Sequence, residues 1–335
     1  MDAQEFLNAM RKLNPQYRPI FEDMSPHSDI HRAAAGYEPG GEAVKRAEAP
    51  GYNTVFPEDN CAPFVFNSPH SGRHYTPSFL EQSRLSPLLL RKSEDALVDQ
   101  LFQFAPQLGA PLLAATFPRA YVDVNREPFE LDPRLFTGPL PSNANDKSVR
   151  VAAGLGTIAR VVGDGLEIYR HPLSLEEALW RITNFYLPYH RQLRQLIDMQ
   201  LQRYETAILI DCHSMPSRAK RSDGTSCADI IIGDRFGTAS HPDLVSYLVD
   251  LLKDVGLSVA VNSPYAGGYI TEHYGRPDDG VHAIQVEINR SLYMDEVAIE
   301  PHSGFIEVSS ALKAVFTTYI RDVTSTLFPI ADAAE

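Results

Sequence analysis

Residues 64–75 read FVFNSPHSGRHY. Phe64, Val65, Phe66 and Asn67 have the apolar, β-prone character of a buried strand near its end. The chain then turns through Ser68 and Pro69 and presents His70 ahead of Ser71 and Gly72. A core strand that ends by offering an ionisable ring on a Pro/Gly turn sets the question for the rest of the chain. Similar short apolar runs recur at APFVFN (62–67), PLLAATF (111–117), AYVDVN (120–125), AILID (207–211), DIIIG (229–233), LSVAVN (257–262) and HAIQVEI (282–288), each read as a strand. Helical spacing of apolar residues predicts helices over 85–107, 174–204, 241–256 and 308–327. Ser174 is placed as an N-cap with Glu177 completing a capping box, and Pro188 is expected to kink or break its helix.

Strands alternating with helices predict an α/β fold: a three-layer sandwich around a central mixed, mainly parallel, twisted sheet. Residues 61–330 are assigned to a single α/β domain. Residues 1–60 are polar with scattered Pro and Gly and are read as a largely irregular arm with a short helix near 3–12. Residues 137–166, rich in Gly, Pro, Asn and Asp, are read as a long loop region.

The 335 residues carry a formal net charge of −13, which argues against a nucleic-acid partner, since phosphate contact needs a basic face. An anionic small molecule would need locally placed Arg or Lys. The three cysteines, Cys61, Cys212 and Cys227, form no CxxC pair, which points to a reducing compartment. No apolar signal segment and no long apolar run is read, so a soluble cytoplasmic protein is expected, with room for a homo-oligomer.

In parallel α/β sheets, ligands gather beyond the carboxyl ends of the strands. Polar groups follow five of the apolar runs: His70; Asn125 and Arg126; His213; Asn262 and Tyr265 with Gly267 and Gly268; and Glu287, Asn289 and Arg290. One such histidine alone is as well explained by structural hydrogen bonding. Two at separate strand ends favour a shared metal site. A catalytic zinc takes three protein ligands. The third lies between the neighbours Glu94 and Asp95, with Asp95 preferred, while Asp99 reads as a solvated helix residue. Glu287, inside an apolar strand, must be paired, for instance with Arg290, or functional as a general base. Arg126 is either a salt-bridge partner of Asp123 or a fork for a substrate carboxylate. Tyr265 and its glycines would form a lip over the pocket. Ser71 and Ser214 lack a GxSxG elbow, and Cys212 reads as a small buried side chain.

The set SPHSG, YVDVNREP, LIDCHSMPS, NSPYAGG and VEINR resembles the N-formylglutamate amidohydrolases, in the same order over residues 60–300. The resemblance implies an α/β fold related to zinc carboxypeptidases and aspartoacylases. It implies His70 and His213 as metal ligands, one divalent metal with zinc the first choice, and Asn125 and Arg126 as substrate-binding residues. Glu287 falls where those relatives keep the general base. The implied reaction is hydrolysis of an N-acyl acidic amino acid, N-formyl-L-glutamate first, in the setting of histidine breakdown. A second basic contact would fall to Arg119, Arg170 or Arg290. The alternatives are a hydrolase of another N-acyl amino acid or peptide, and a non-catalytic ligand-binding relative. One departure stands out: carboxypeptidase-type sites use His-x-x-Glu, and here the residue three after His70 is Arg73, which cannot ligate.

Overall fold

A computed structural model describes residues 51–219, 224 and 227–327. The helix expected near 3–12, and the arm up to residue 50, lie outside these. The central sheet has seven strands: β1 (Tyr52–Val55), β2 (Phe64–Ser68), β3 (Leu112–Ala115), β4 (Ala207–Met215), β5 (Ile230–Gly233), β6 (Val259–Val261) and β7 (Val281–Asn289). Their spatial order is β1-β3-β2-β4-β7-β5-β6. Strands β3, β2, β4 and β7 run parallel to one another. β1 is antiparallel to β3, and β5 is antiparallel to β7 with β6 parallel to β5. The sheet is therefore mixed and mainly parallel. It also begins earlier than the expected boundary at residue 60, because Tyr52–Val55 pairs along β3.

The two faces of the sheet carry separate cores, as alternating side chains require. Val65, Leu113, Leu209 and Ala283 face α2 (Leu187–Tyr204), packing with Leu193, Leu196 and Ile197. Phe64, Phe66, Ile208, Ile210, Ile284 and Val286 face α3 (Pro242–Asp254) and, after the short α4 (Tyr269–Tyr274), the long α5 (Gly304–Leu327). Phe66 meets Phe316 of α5 at 5.2 Å between ring centroids. Each fully buried side chain of this size contributes about 2–3 kcal/mol. The result is helix, sheet and helix in three layers.

Four expectations are corrected. The helix read over 85–107 is broken into Pro87–Arg91, Val98–Leu101 and a 3-10 turn Ala105–Leu108. Leu97 sits at φ 68°, in the left-handed region that no α-helix accommodates. The run 120–125 is buried but is no strand: Tyr121 N bonds Pro118 O and Asp123 N bonds Thr157 O, a loop partner. Pro188 does not break its helix. α1 (Leu175–Arg181) passes through a π-helical turn, Ile182–Tyr186, into α2, with Pro188 in its first turn. The wide turn absorbs the missing N–H. Ser174 caps α1 as expected, accepting from Glu177 N at 3.2 Å, but the Glu177 carboxylate accepts from Arg181 Nε instead of returning to the cap.

Candidate metal centre and cleft

The parallel register of β4 and β7 pairs Asp211 with Gln285 and His213 with Glu287. β2 joins the same row, with Asn67 opposite Asp211. With a two-residue period, all five side chains share one sheet face. His213 and Glu287 thus lie inside long strands, toward their carboxyl ends, not after them. The other face of the same stretch carries Cys212 and Val286, both in the apolar core.

His70 follows β2 by two residues and faces His213, with ring centroids 4.9 Å apart. Asp95 comes from the break between Pro87–Arg91 and Val98–Leu101. Its backbone N donates to His70 O at 3.0 Å, which ties the break to the turn after β2. Asp95 Oδ2 lies 3.3 Å from His70 Nδ1 and 2.9 Å from His213 Nδ1. Its other oxygen accepts from Arg290 Nη2 at 3.0 Å. Glu94 turns away, accepting from Tyr75 Oη at 2.8 Å and from Arg91 Nε. The geometry therefore brings Asp95, not Glu94, to the histidines. All three residues are buried, and one ligand atom of each lies within 4.8 Å of the other two.

The outer nitrogens of both rings meet further carboxylates. His70 Nε2 lies 2.8 Å from Asp123 Oδ1, and His213 Nε2 lies 3.1 Å from Asp211 Oδ2 and 3.2 Å from Asn125 Nδ2. Carboxylates behind metal-ligating imidazoles fix ring orientation and raise ligand basicity. Two inward Nδ1 atoms, one shared carboxylate oxygen and braced outer nitrogens fit a divalent metal. Burial opposes the charge of Asp95, yet hydrogen bonds from His213 and His70 hold it well below the usual carboxylate range. Burial also opposes the His213 cation, and Asp211 and Asp95 outweigh it, raising the imidazole well above its ordinary value.

Glu287 is 9% exposed, and its Oε1 accepts from Gln285 Nε2 at 3.0 Å. Burial pushes its carboxyl up to about 7, with Asp95 adding to the rise and His213 opposing it. Gln285 is fixed in turn, its Oε1 accepting from Gly268 N at 2.8 Å. That glycine is required: a Cβ on Gly268 would lie 2.4 Å from Asn125 Nδ2.

These groups open into a cleft of about 700 Å³ that is also lined by Tyr265, Arg119, Arg126 and Arg150. Arg126 is held in place by backbone, its Nε donating to Leu155 O and its Nη1 to Asn125 O, both at 2.8 Å. Its Nη2 stands 3.6 Å from Asp123. Of the other basic candidates, Arg119 donates to Asp123 at 2.8 Å, Arg290 is bound to Asp95, and Arg170 donates to Ser83 O outside the cleft. Asp123, Asp211, Gln285 and Arg150 escaped the sequence reading as site residues. Asp211 and Gln285 sit two positions before a chosen residue (His213, Glu287), a spacing that carries the signal in a strand, whereas Asp123 lies in a loop.

Ionisable groups gathered on one face at the carboxyl ends of parallel strands mark an α/β enzyme. The chain belongs to the N-formylglutamate amidohydrolase family, which it matches over residues 62–294. It is 29% identical over 268 residues to an N-formylglutamate deformylase of Pseudomonas aeruginosa, covering 79% of this chain and 92% of that protein. A second such deformylase, from Pseudomonas putida, is 28% identical over 241 residues, 70% of this chain and 82% of that protein. Among solved structures, the N-formylglutamate amidohydrolase of Ralstonia eutropha JMP134 superimposes with a TM-score of 0.77 at 33% identity, covering 82% of this chain and 99% of that one.

Proposed function

We propose that the protein hydrolyses N-formyl-L-glutamate to L-glutamate and formate, with one divalent metal, zinc by its donor set, held by His70, Asp95 and His213. The observation that carries this is the meeting of both Nδ1 atoms on Asp95 Oδ2 with Glu287 one strand away in an arginine-lined cleft. The relatives named N-formylglutamate deformylase support the substrate. When bound, such an ion supplies Lewis acidity at the amide carbonyl and acidifies water. Asp123 and Asp211 orient the two imidazoles, and Arg290 holds Asp95 through its outer oxygen. With Oε1 occupied by Gln285, Glu287 takes a proton from the attacking water at Oε2. The water oxygen bonds the formyl carbon, the C–N bond breaks, and Glu287 returns the proton to the leaving nitrogen. Arg119 and Arg126 bring positive charge to the α-carboxylate beside the scissile bond, with Asn125 and Tyr265 shaping the site. The same proposal carries a cytoplasmic enzyme of histidine breakdown. Among the described residues no helix is long and apolar enough to cross a membrane.

A second reading, a hydrolase of a bulkier N-acyl amino acid or peptide, draws on the cleft volume of about 700 Å³, roomy for so small a substrate. Metal analysis joined to formate assay separates these. About one divalent metal per chain with chelator-sensitive formate release from N-formyl-L-glutamate is expected. Metal without formate release moves the reading to the larger acyl substrates, and chelator-insensitive turnover removes the metal role.

A further inference from the structure

We infer that Arg150 is the specificity residue that grips the side-chain carboxylate of the substrate. This rests on the N-acyl acidic amino acid reading above. Arg150 lies in the helical turn Val149–Ala152, within the loop region 137–166. Among the described residues of the cleft, it is the arginine whose guanidinium makes no hydrogen bond to the protein. Arg119 donates to Asp123, Arg126 to two backbone carbonyls, Arg235 to Gly267 O and Glu272, and Arg290 to Asp95 and Ser214.

What faces Arg150 is Glu130, whose Oε2 stands 3.7 Å from Nη1, beyond hydrogen-bond reach. Glu130 is buried, its Oε1 accepts from Ser148 Oγ, and its Oε2 has no hydrogen-bond partner. Ser148 also caps the turn that carries Arg150, accepting from Val151 N at 3.0 Å. The carboxylate thus sets the turn and balances the cation while leaving the guanidinium fork vacant. A guanidinium fork matches a carboxylate in two parallel hydrogen bonds, which an ammonium does not.

Position decides which carboxylate. Arg119 donates to Asp123 at 2.8 Å, and Asp123 in turn meets the His70 ring at 2.8 Å, so Arg119 lies near the reacting end. Arg126 comes next, its Nη2 3.6 Å from Asp123, whereas Arg150 faces Glu130 and not Asp123. Arg150 therefore stands outside the groups that brace the two histidines. In an N-acyl acidic amino acid the α-carboxylate adjoins the scissile amide and the side-chain carboxylate lies further out, matching that order.

The test compares wild type, Arg150→Gln and Arg150→Lys on N-formyl-L-glutamate and N-formyl-L-glutamine. Loss of a charged bidentate contact corresponds to about 10- to 100-fold. The glutamate-over-glutamine preference in kcat/KM should fall by that factor in Arg150→Gln and recover in part in Arg150→Lys. An equal loss on both substrates, or an unchanged preference, overturns the assignment. If wild type releases no formate, the hydrolytic reading fails, and calorimetry decides the subsite by itself. Binding of glutarate should weaken about tenfold more than binding of butyrate in Arg150→Gln. Equal weakening, or none, overturns it there too.

Discussion

The two faces of β4 and β7 differ along their length in instructive ways. One face is apolar over most of its length, with Ile208, Ile210 and Cys212 beside Ile284, Val286 and Ile288 against α3 and α5, and polar only at His282 and Ser214. The opposite face starts apolar at Leu209 and Ala283, then turns polar at Asp211, His213, Gln285 and Glu287. The same stretch of backbone holds the fold with one face and, on the function proposed above, the chemistry with the other. Shifting the pairing by one residue would exchange the faces, so the buried isoleucines also fix which residues reach the cleft.

The sharpest way to break this comparison is Glu287→Gln. It keeps shape and the neighbouring amide but removes the base, and formate release should drop about 1,000-fold, near 4 kcal/mol of barrier. Bound metal and melting temperature should stay at wild-type values, and near-normal turnover would sink the base role. The converse change, Ile210→Ala on the apolar face, should lower unfolding free energy by about 3 kcal/mol in urea titrations. The folded fraction should keep wild-type kcat/KM, and a selective loss of turnover would show that the faces are not separable.

His282 gives the smallest and subtlest test, since it is an ionisable side chain on the apolar side of β7. It is buried, it accepts from His241 N at 3.3 Å, and burial, helped by repulsion from His241, lowers its pKa to about 4. An unfolded histidine titrates near 6.5. Above that pH the group is neutral in both states and contributes nothing. As pH falls from about 6.5 toward 4, the unfolded chain takes up a proton that the folded chain refuses, so stability is lost. Between pH 7 and 5, wild type should lose about 2 kcal/mol more than His282→Gln. Parallel pH slopes for the two proteins would show that His282 is charged in the fold.

How much was legible follows from frame. His70, His213 and Glu287 stood out because an ionisable residue in an apolar strand run is unusual, and the structure gathers all three at the cleft. The choice between Glu94 and Asp95 depended on the break at Leu97, whose left-handed backbone no periodicity announces. Residues 120–125 misled because burial, not pairing, makes that run apolar: Val124 O is taken by the His190 ring and Asn125 Oδ1 by Ile270 N. Arg150 lay in a Gly- and Asn-rich region with no periodic frame, so nothing local tied it to the strands. The reversal of β5 and β6 was hidden too, since an apolar strand reads the same in either direction.

That reversal has a consequence for how such a protein can change over generations. Because β5 ends opposite Gln285, midway along β7, the segment after β6 returns across the sheet, where Gly233 packs on Ala266 and Gly268 on Asn125. Residues 262–267 and the stretch around Arg150 thus wall the cleft from outside the strands that carry His213 and Glu287. On the roles proposed above, chemistry and selectivity sit on separate lengths of chain. Drift in the walls can retune which acyl amino acid is accepted, while the reacting groups stay where β4 and β7 hold them.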